Sequence, residues 1–259
     1  MYVCADCSKV FTRKDNLHRH MHKHNSTTTH VEDSHQSVDH EDHQNYPSPR
    51  QDEDGWTVLA LPKMIHSFTC MVAGPTGCGK TTFIKKLLEF KEEKIFNVPS
   101  RVVWCYTQWQ PLYAVMEGVE FHQGLPDIED LESCLVILDD MMSQLGGEVT
   151  EVFTQGSHHR QVSVIAVVQN IFHQSKHQRT MSLNTHYMIL LKNPRDASQI
   201  QHLARQMYPQ NPRFLVDVFN RVTSLKPFSY LFLDLKQETP ESLRLRANVL
   251  EEEERLYQQ

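Results

Sequence analysis

From residue 56 onward, short apolar runs alternate with stretches of helical period. Runs such as "LVIL" (135–138) and "VSVIAVV" (162–168) have almost no polar interruption. That is the pattern of strands buried on both faces of a parallel sheet. It predicts strands over 68–73, 101–107, 134–138, 162–169 and 186–191, and helices over 80–94, 148–156, 197–208 and 212–223. Right-handed crossovers between such elements give an α/β fold, a parallel central sheet covered by helices. The stretch "FSYLFLDL" (228–235) reads as an added edge strand, and the acidic 251–254 as a solvated helix end within a charged helical tail over 240–259. No internal repeat is visible.

Before residue 56 this pattern disappears. Residues 25–55 are rich in Ser, Thr, His, Asp and Pro and lack aliphatic periodicity. Such a segment buries too little apolar surface to offset its chain entropy, so it is expected to be a disordered acidic tether. The histidines His30, His35, His40 and His43 read as solvated linker residues. Residues 1–24 are different again. Cys4, Cys7, His20 and His24 follow the spacing C-x2-C-x12-H-x3-H, with two thiolates on a hairpin and two imidazoles one helical turn apart. Four such ligands close a tetrahedron around Zn²⁺. Tyr2, Phe11 and Leu17 supply the small apolar core of a ββα zinc finger, which needs its metal to fold. The expected division is therefore finger 1–24, tether 25–55, nucleotide domain 56–239 and tail 240–259.

Charge follows the same division. Residues 1–24 carry five Lys/Arg against two acids, a net +3; residues 25–55 carry one Arg against eight acids, a net −7; the remainder holds −2 of the overall −6. The acidity belongs mainly to the tether and does not exclude nucleic acid as a partner. Apart from Cys4 and Cys7, the cysteines Cys70, Cys78, Cys105 and Cys134 are scattered, which suits a reducing compartment better than a disulfide scaffold. No apolar run approaches membrane-spanning length and Met1 leads straight into the finger. The expectation is a soluble, intracellular protein that uses no membrane.

The chemistry centres on "VAGPTGCGKTT" (72–82), which matches G-x-x-x-x-G-K-[ST] at Gly74, Gly79, Lys80 and Thr81. Glycines let the backbone of Gly74, Pro75, Thr76, Gly77, Cys78 and Gly79 curl so that its N–H groups converge on phosphate, and the following helix adds its positive end. Lys80 is expected to reach the β- and γ-phosphates of ATP, Thr81 to ligate Mg²⁺, and Thr82 to assist at the α-phosphate. In "CLVILDDMM" (134–142), Asp139 ends an apolar strand where it holds Mg²⁺ through water. Gln169 closes another apolar run in a position to sense the terminal phosphate. A transition state of this type needs one more cation, commonly an arginine from a neighbouring subunit. Arg160 and Arg195 both stand at strand edges, and Arg160 is the preferred candidate.

Taken together, "GPTGCGKTTFIKKLL", "LVILDDMM", "SHHRQVSVIAVVQNIF" and "LLKNPRDASQIQHLARQMYP" resemble the genome-packaging ATPases of the FtsK–HerA superfamily. The nearest group is the poxvirus/adenovirus-like branch found in adintoviruses and Maverick/Polinton elements. The resemblance spans about residues 56–239. It implies a RecA-like core, a ring oligomer and ATP-driven translocation of double-stranded DNA into a capsid. It also implies that Asp140 stands where related ATPases carry the residue orienting the attacking water, although many of them have Glu there. In the finger's family register the base-reading positions fall on Arg13, Asn16 and Arg19, matching a GAG-like triplet, while a single finger buries too little surface for tight reading alone. The finger thus reads equally as a DNA contact or as a knob for a capsid or replication protein, at a nuclear or viral assembly site. Two other functions stay open from sequence: a zinc-finger regulator whose nucleotide domain is a switch, and a small-molecule kinase.

Overall fold

The computed structural model describes residues 61–259, apart from 157–159, 173–175, 252–253 and 259, together with four two-residue strands nearer the N-terminus; at 142–146 and 155–156 it describes the backbone alone. The chain divides into two units, Met1–Lys63 and Met64–Gln259.

In the first unit, β1 (Tyr2–Val3) pairs antiparallel with β2 (Val10–Phe11), Tyr2 opposite Phe11. β3 (Arg50–Gln51) pairs with β4 (Thr57–Val58), and Tyr2 also lies opposite Val58, giving the order β2-β1-β4-β3. Arg50–Gln51 lies inside the stretch expected to be a tether, and residues 57–58 fall within this unit. A two-residue ladder rests on backbone pairing and needs no apolar periodicity, so the pattern missed it. The expected zinc ligands Cys4, Cys7, His20 and His24, the expected base-reading residues Arg13, Asn16 and Arg19, and nearly all of the expected tether lie outside the described residues.

The second unit opens with β5 (Met64–Ile65) and β6 (Thr69–Ala73), which turns into α1 (Lys80–Glu89). A break at Phe90 separates α1 from the short α2 (Lys91–Lys94), where the sequence predicts one helix over 80–94. β7 (Ile95–Phe96) then pairs with β5, and β8 (Arg101–Tyr106), β9 (Glu120–Gln123) and β10 (Cys134–Asp139) follow. α3 (Met142–Glu151) passes into a π-helical turn, Val152–Gly156, before β11 (Ser163–Val168). Helix thus begins earlier than the expected residue 148. α4 (Lys176–Leu183), β12 (Tyr187–Leu191), α5 (Ser198–Met207), α6 (Pro212–Thr223) and β13 (Tyr230–Asp234) come next. β14 (Leu245–Ala247) and β15 (Arg255–Tyr257) complete the unit.

Nine strands form the main sheet in the order β15-β14-β13-β12-β6-β11-β10-β8-β9. From β12 to β9 the neighbours run parallel, and from β12 to β15 antiparallel. β13 is therefore an inner strand, not an edge. The tail over 240–259 is corrected likewise, since it supplies β14 and β15. Glu254 is buried against Arg246, so it ends no solvated helix.

Alternate residues of each strand feed two cores, one on each face of the sheet. On one face Cys70, Val72, Ile137, Ile165 and Ile189 pack with Phe83, Ile84 and Leu87 of α1. On the other, Met71, Val136, Val164 and Met188 pack with residues of α5 and α6 such as Leu203, Leu215 and Val222. This two-sided burial is what the uninterrupted apolar runs encode.

Candidate nucleotide site

β6, β11 and β10 run side by side, with Val168 level with Ala73 and Asp139 level with Val167. One edge of the sheet therefore gathers the Gly74–Thr82 loop, Gln169, Asp139 and Asp140. β11 separates β6 from β10 in the sheet. A cleft of about 620 Å³ opens there, lined by Thr76, Lys80, Thr81, Asp139, Asp140 and Gln169 among others.

The loop's shape depends on glycine at two places. A Cβ on Gly74 would lie 2.6 Å from Cys78 Sγ and 3.0 Å from Leu191 Cβ. Gly79, with φ of 99°, is the residue before α1 and adopts a left-handed conformation that L side chains resist. No side chain caps α1 and its first turn holds no acid. Its leading N–H groups and positive end are left to an anion. Lys80 Nζ donates to the carbonyls of Gly74 at 2.6 Å and Pro75 at 2.9 Å, which holds the ammonium over the loop. Burial pushes the Cys78 thiol above its ordinary value, with Lys80 opposing, so the loop cysteine is a neutral packing group.

The two acids at the end of β10 differ in burial and in backbone conformation. Asp139 is buried, and its Oδ2 accepts a 2.6 Å hydrogen bond from the Tyr113 hydroxyl. Burial raises its pKa while the Tyr113 bond and the charge of Lys80 pull the other way. Asp140 is exposed, with a φ of 54° in the left-handed region, and its charge adds to the rise in the Asp139 pKa. Gln169 Nε2 donates to Asp140 Oδ2 at 3.1 Å. A blocked glycine cradle, an ammonium, a hydroxyl and a buried carboxylate on one cleft fit a magnesium-bound triphosphate. Thr81 and Asp139 are the groups suited to the metal.

The arginines separate by strand polarity. Arg160 precedes β11, where its Nη1 donates to the Glu129 carbonyl and its own carbonyl accepts from the Ser133 N–H. That is the opposite edge of the sheet, about 20 Å along a six-residue strand from Gln169. Arg160 is thus not brought to its own chain's cleft, a placement that leaves the expectation of an arginine from a neighbouring subunit untouched. Arg195 follows β12, whose Leu190 is level with Ala73, so it lies exposed on the loop's edge. The order was readable in sequence: one arginine comes before its strand and the other after.

Tyr113 was missed by the sequence reading, because nothing in "QPLYAVM" links it to an acid 26 residues on. Also missed were Phe228, Tyr230 and Leu250, which wall the cleft from the β13–β14 side. Phe228 is 69% exposed at φ of 62°, and a Cβ on Gly79 would come within 3.2 Å of its ring.

Among the described residues no helix is long and apolar enough to cross a membrane. No curated protein matches the chain. Solved structures that resemble it include the genome packaging NTPase B204 from Sulfolobus turreted icosahedral virus 2 in complex with sulfate, 11% identical with a TM-score of 0.46 over 68% of this chain and 95% of that one. The cytoplasmic domain of EssC is 16% identical, with a TM-score of 0.39 over 61% and 38% of the two chains. The cytoplasmic domain of the Thermomonospora curvata type VII secretion ATPase EccC is 12% identical, with a TM-score of 0.38 over 74% and 23%. Residues 2–24 match the C2H2-type zinc finger family. Residues 70–200, just over half of the chain, match the viral superfamily 1 RNA helicase core domain, so the chain belongs to that family and is a P-loop ATPase.

Proposed function

We propose that this ATPase is a motor that moves double-stranded DNA, of the FtsK–HerA packaging kind nearest the adintovirus and Maverick/Polinton branch. The observation that carries the catalytic part is the meeting of Lys80, Thr81, Asp139, Asp140 and Gln169 on one cleft. The DNA part is supported by the ordered set of packaging-type motifs in the sequence and by the finger match over 2–24.

In this reading Lys80 exchanges its loop carbonyls for the β- and γ-phosphates of ATP. Thr81 and Asp139 would hold Mg²⁺, which when bound would supply charge neutralisation at the phosphates. Asp140, its carboxylate steadied by Gln169, orients the attacking water. Arg195 is the arginine available on the cleft's edge, while Arg160 serves only across the interface of a ring oligomer. Cys4, Cys7, His20 and His24 hold Zn²⁺ in the finger. Arg13, Asn16 and Arg19 then contact DNA, or the finger docks on a capsid or replication protein at a nuclear or viral assembly site.

The family match favours a second reading, a helicase that moves along RNA. Hydrolysis of ATP by the full chain, alone, with long duplex DNA and with single-stranded RNA, separates the two. The motor reading expects duplex DNA to raise turnover, and Lys80→Ala to lower it by about 100-fold or more. Stimulation by RNA alone would replace the motor with the helicase. Sequence-specific DNA binding unaffected by Lys80→Ala, without turnover, would leave a zinc-finger regulator.

A further inference from the structure

We infer that Tyr113 is a positioning residue for Asp139: its hydroxyl fixes the carboxylate so that the oxygen left over faces the metal of a bound triphosphate. The inference rests on the ATP site described above. Tyr113 belongs to a single 3-10 turn, Pro111–Val115, pinned at both ends because its N–H donates to the Gln110 carbonyl and its carbonyl accepts from Met116. The ring has almost no freedom. Phe121 stacks on it at 5.2 Å and 22°, Trp109 meets it edge-on at 5.4 Å and 88°, and Trp104 and Tyr106 lie at 5.3 and 5.7 Å. The side chain is 1% exposed.

Packing of this kind explains an aromatic ring but not a hydroxyl. Phenylalanine would fill the same space, and a buried phenol costs free energy unless it is bonded. The hydroxyl donates to Asp139 Oδ2, at a charge-assisted distance of 2.6 Å. A carboxylate at the end of a strand turns freely about its last bond. One oxygen clamped by a rigid donor stops that rotation, and the other is then presented to the cleft that Asp139 lines. Groups that orient a metal ligand in this way typically contribute 10–100-fold in metal affinity.

The test is equilibrium binding of a fluorescent ATP analogue to the full chain, titrated with Mg²⁺, for wild type, Tyr113→Phe and Phe121→Leu. Tyr113→Phe is expected to need about 10-fold more Mg²⁺ for half-maximal binding, with metal-free affinity within about two-fold of wild type. Phe121→Leu loosens the same aromatic packing but keeps the hydroxyl, and it is expected to retain the wild-type Mg²⁺ requirement. Tyr113→Phe with an unchanged Mg²⁺ midpoint would overturn the positioning role while leaving the ATP site intact. Phe121→Leu reproducing the Tyr113→Phe shift would reduce Tyr113 to packing and overturn it as well. Wild type that binds no nucleotide at any Mg²⁺ concentration would overturn the site itself.

Discussion

The two halves of the main sheet solve burial differently. From β12 to β10 the parallel strands are almost wholly apolar and buried on both faces, with polar groups of chemical interest at their ends, and only the outermost strand β9 is polar and largely exposed. From β13 to β15 the antiparallel strands and their flanks bury charge. Arg246, 1% exposed, reaches Glu254 at 3.2 Å and Asp234 at 3.6 Å, with its guanidinium 4.2 Å above the Phe232 ring. Burial raises the pKa of both acids, and Arg246 pulls both back toward the charged form. The first half makes a reaction edge out of hydrophobic burial. The second walls that edge with Phe228, Tyr230 and Leu250, and holds the buried Arg246 between its strands.

That buried cation gives the largest expected effect. Arg246→Ala leaves the buried Asp234 and Glu254 without their shared guanidinium, and should destabilise the fold by about 3–5 kcal/mol in a denaturant titration. A loss under about 1 kcal/mol would mean that the antiparallel half does not lean on its buried charges. Next comes the contrast between the sheet's two edges. In the isolated chain Arg195→Ala should lower ATP turnover by about 100-fold, the scale of one transition-state donor, whereas Arg160→Ala should leave it nearly unchanged. The reverse ranking in steady-state kinetics would break the edge assignment. The smallest effect belongs to the exposed pair Arg101–Glu120, 2.9 Å apart on β8 and β9. Its removal by Arg101→Ala should cost no more than about 1 kcal/mol, measured by the same titration.

The same contrast explains what could be read without a structure. The strands expected over 101–107, 134–138, 162–169 and 186–191 are found as β8, β10, β11 and β12, shifted by a residue or two, because continuous apolar runs report burial on both faces. β14 and β15 escaped because Arg246 and Glu254 look like solvent-facing charges until each supplies the other's partner. α3 was cut short in the reading because Gly146 and Gly147 are poor helix formers, a preference that tertiary context overrides here. At the site, the positions of Lys80, Asp139 and Gln169 follow from local motifs, a loop entering a helix and two strand ends, while Asp140 follows from the family resemblance. Tyr113 follows from neither, since its meeting with Asp139 is made by the path of the β8–β10 connection and by no spacing rule.

The grip of Lys80 on the carbonyls of Gly74 and Pro75 gives its amine a second duty, as an internal brace across the curl it serves. Deleting that side chain removes a clasp along with a charge, whereas Asp139→Asn trims charge and leaves the clasp fastened. A pair of inactive variants with different loop rigidity is therefore built into this one motif.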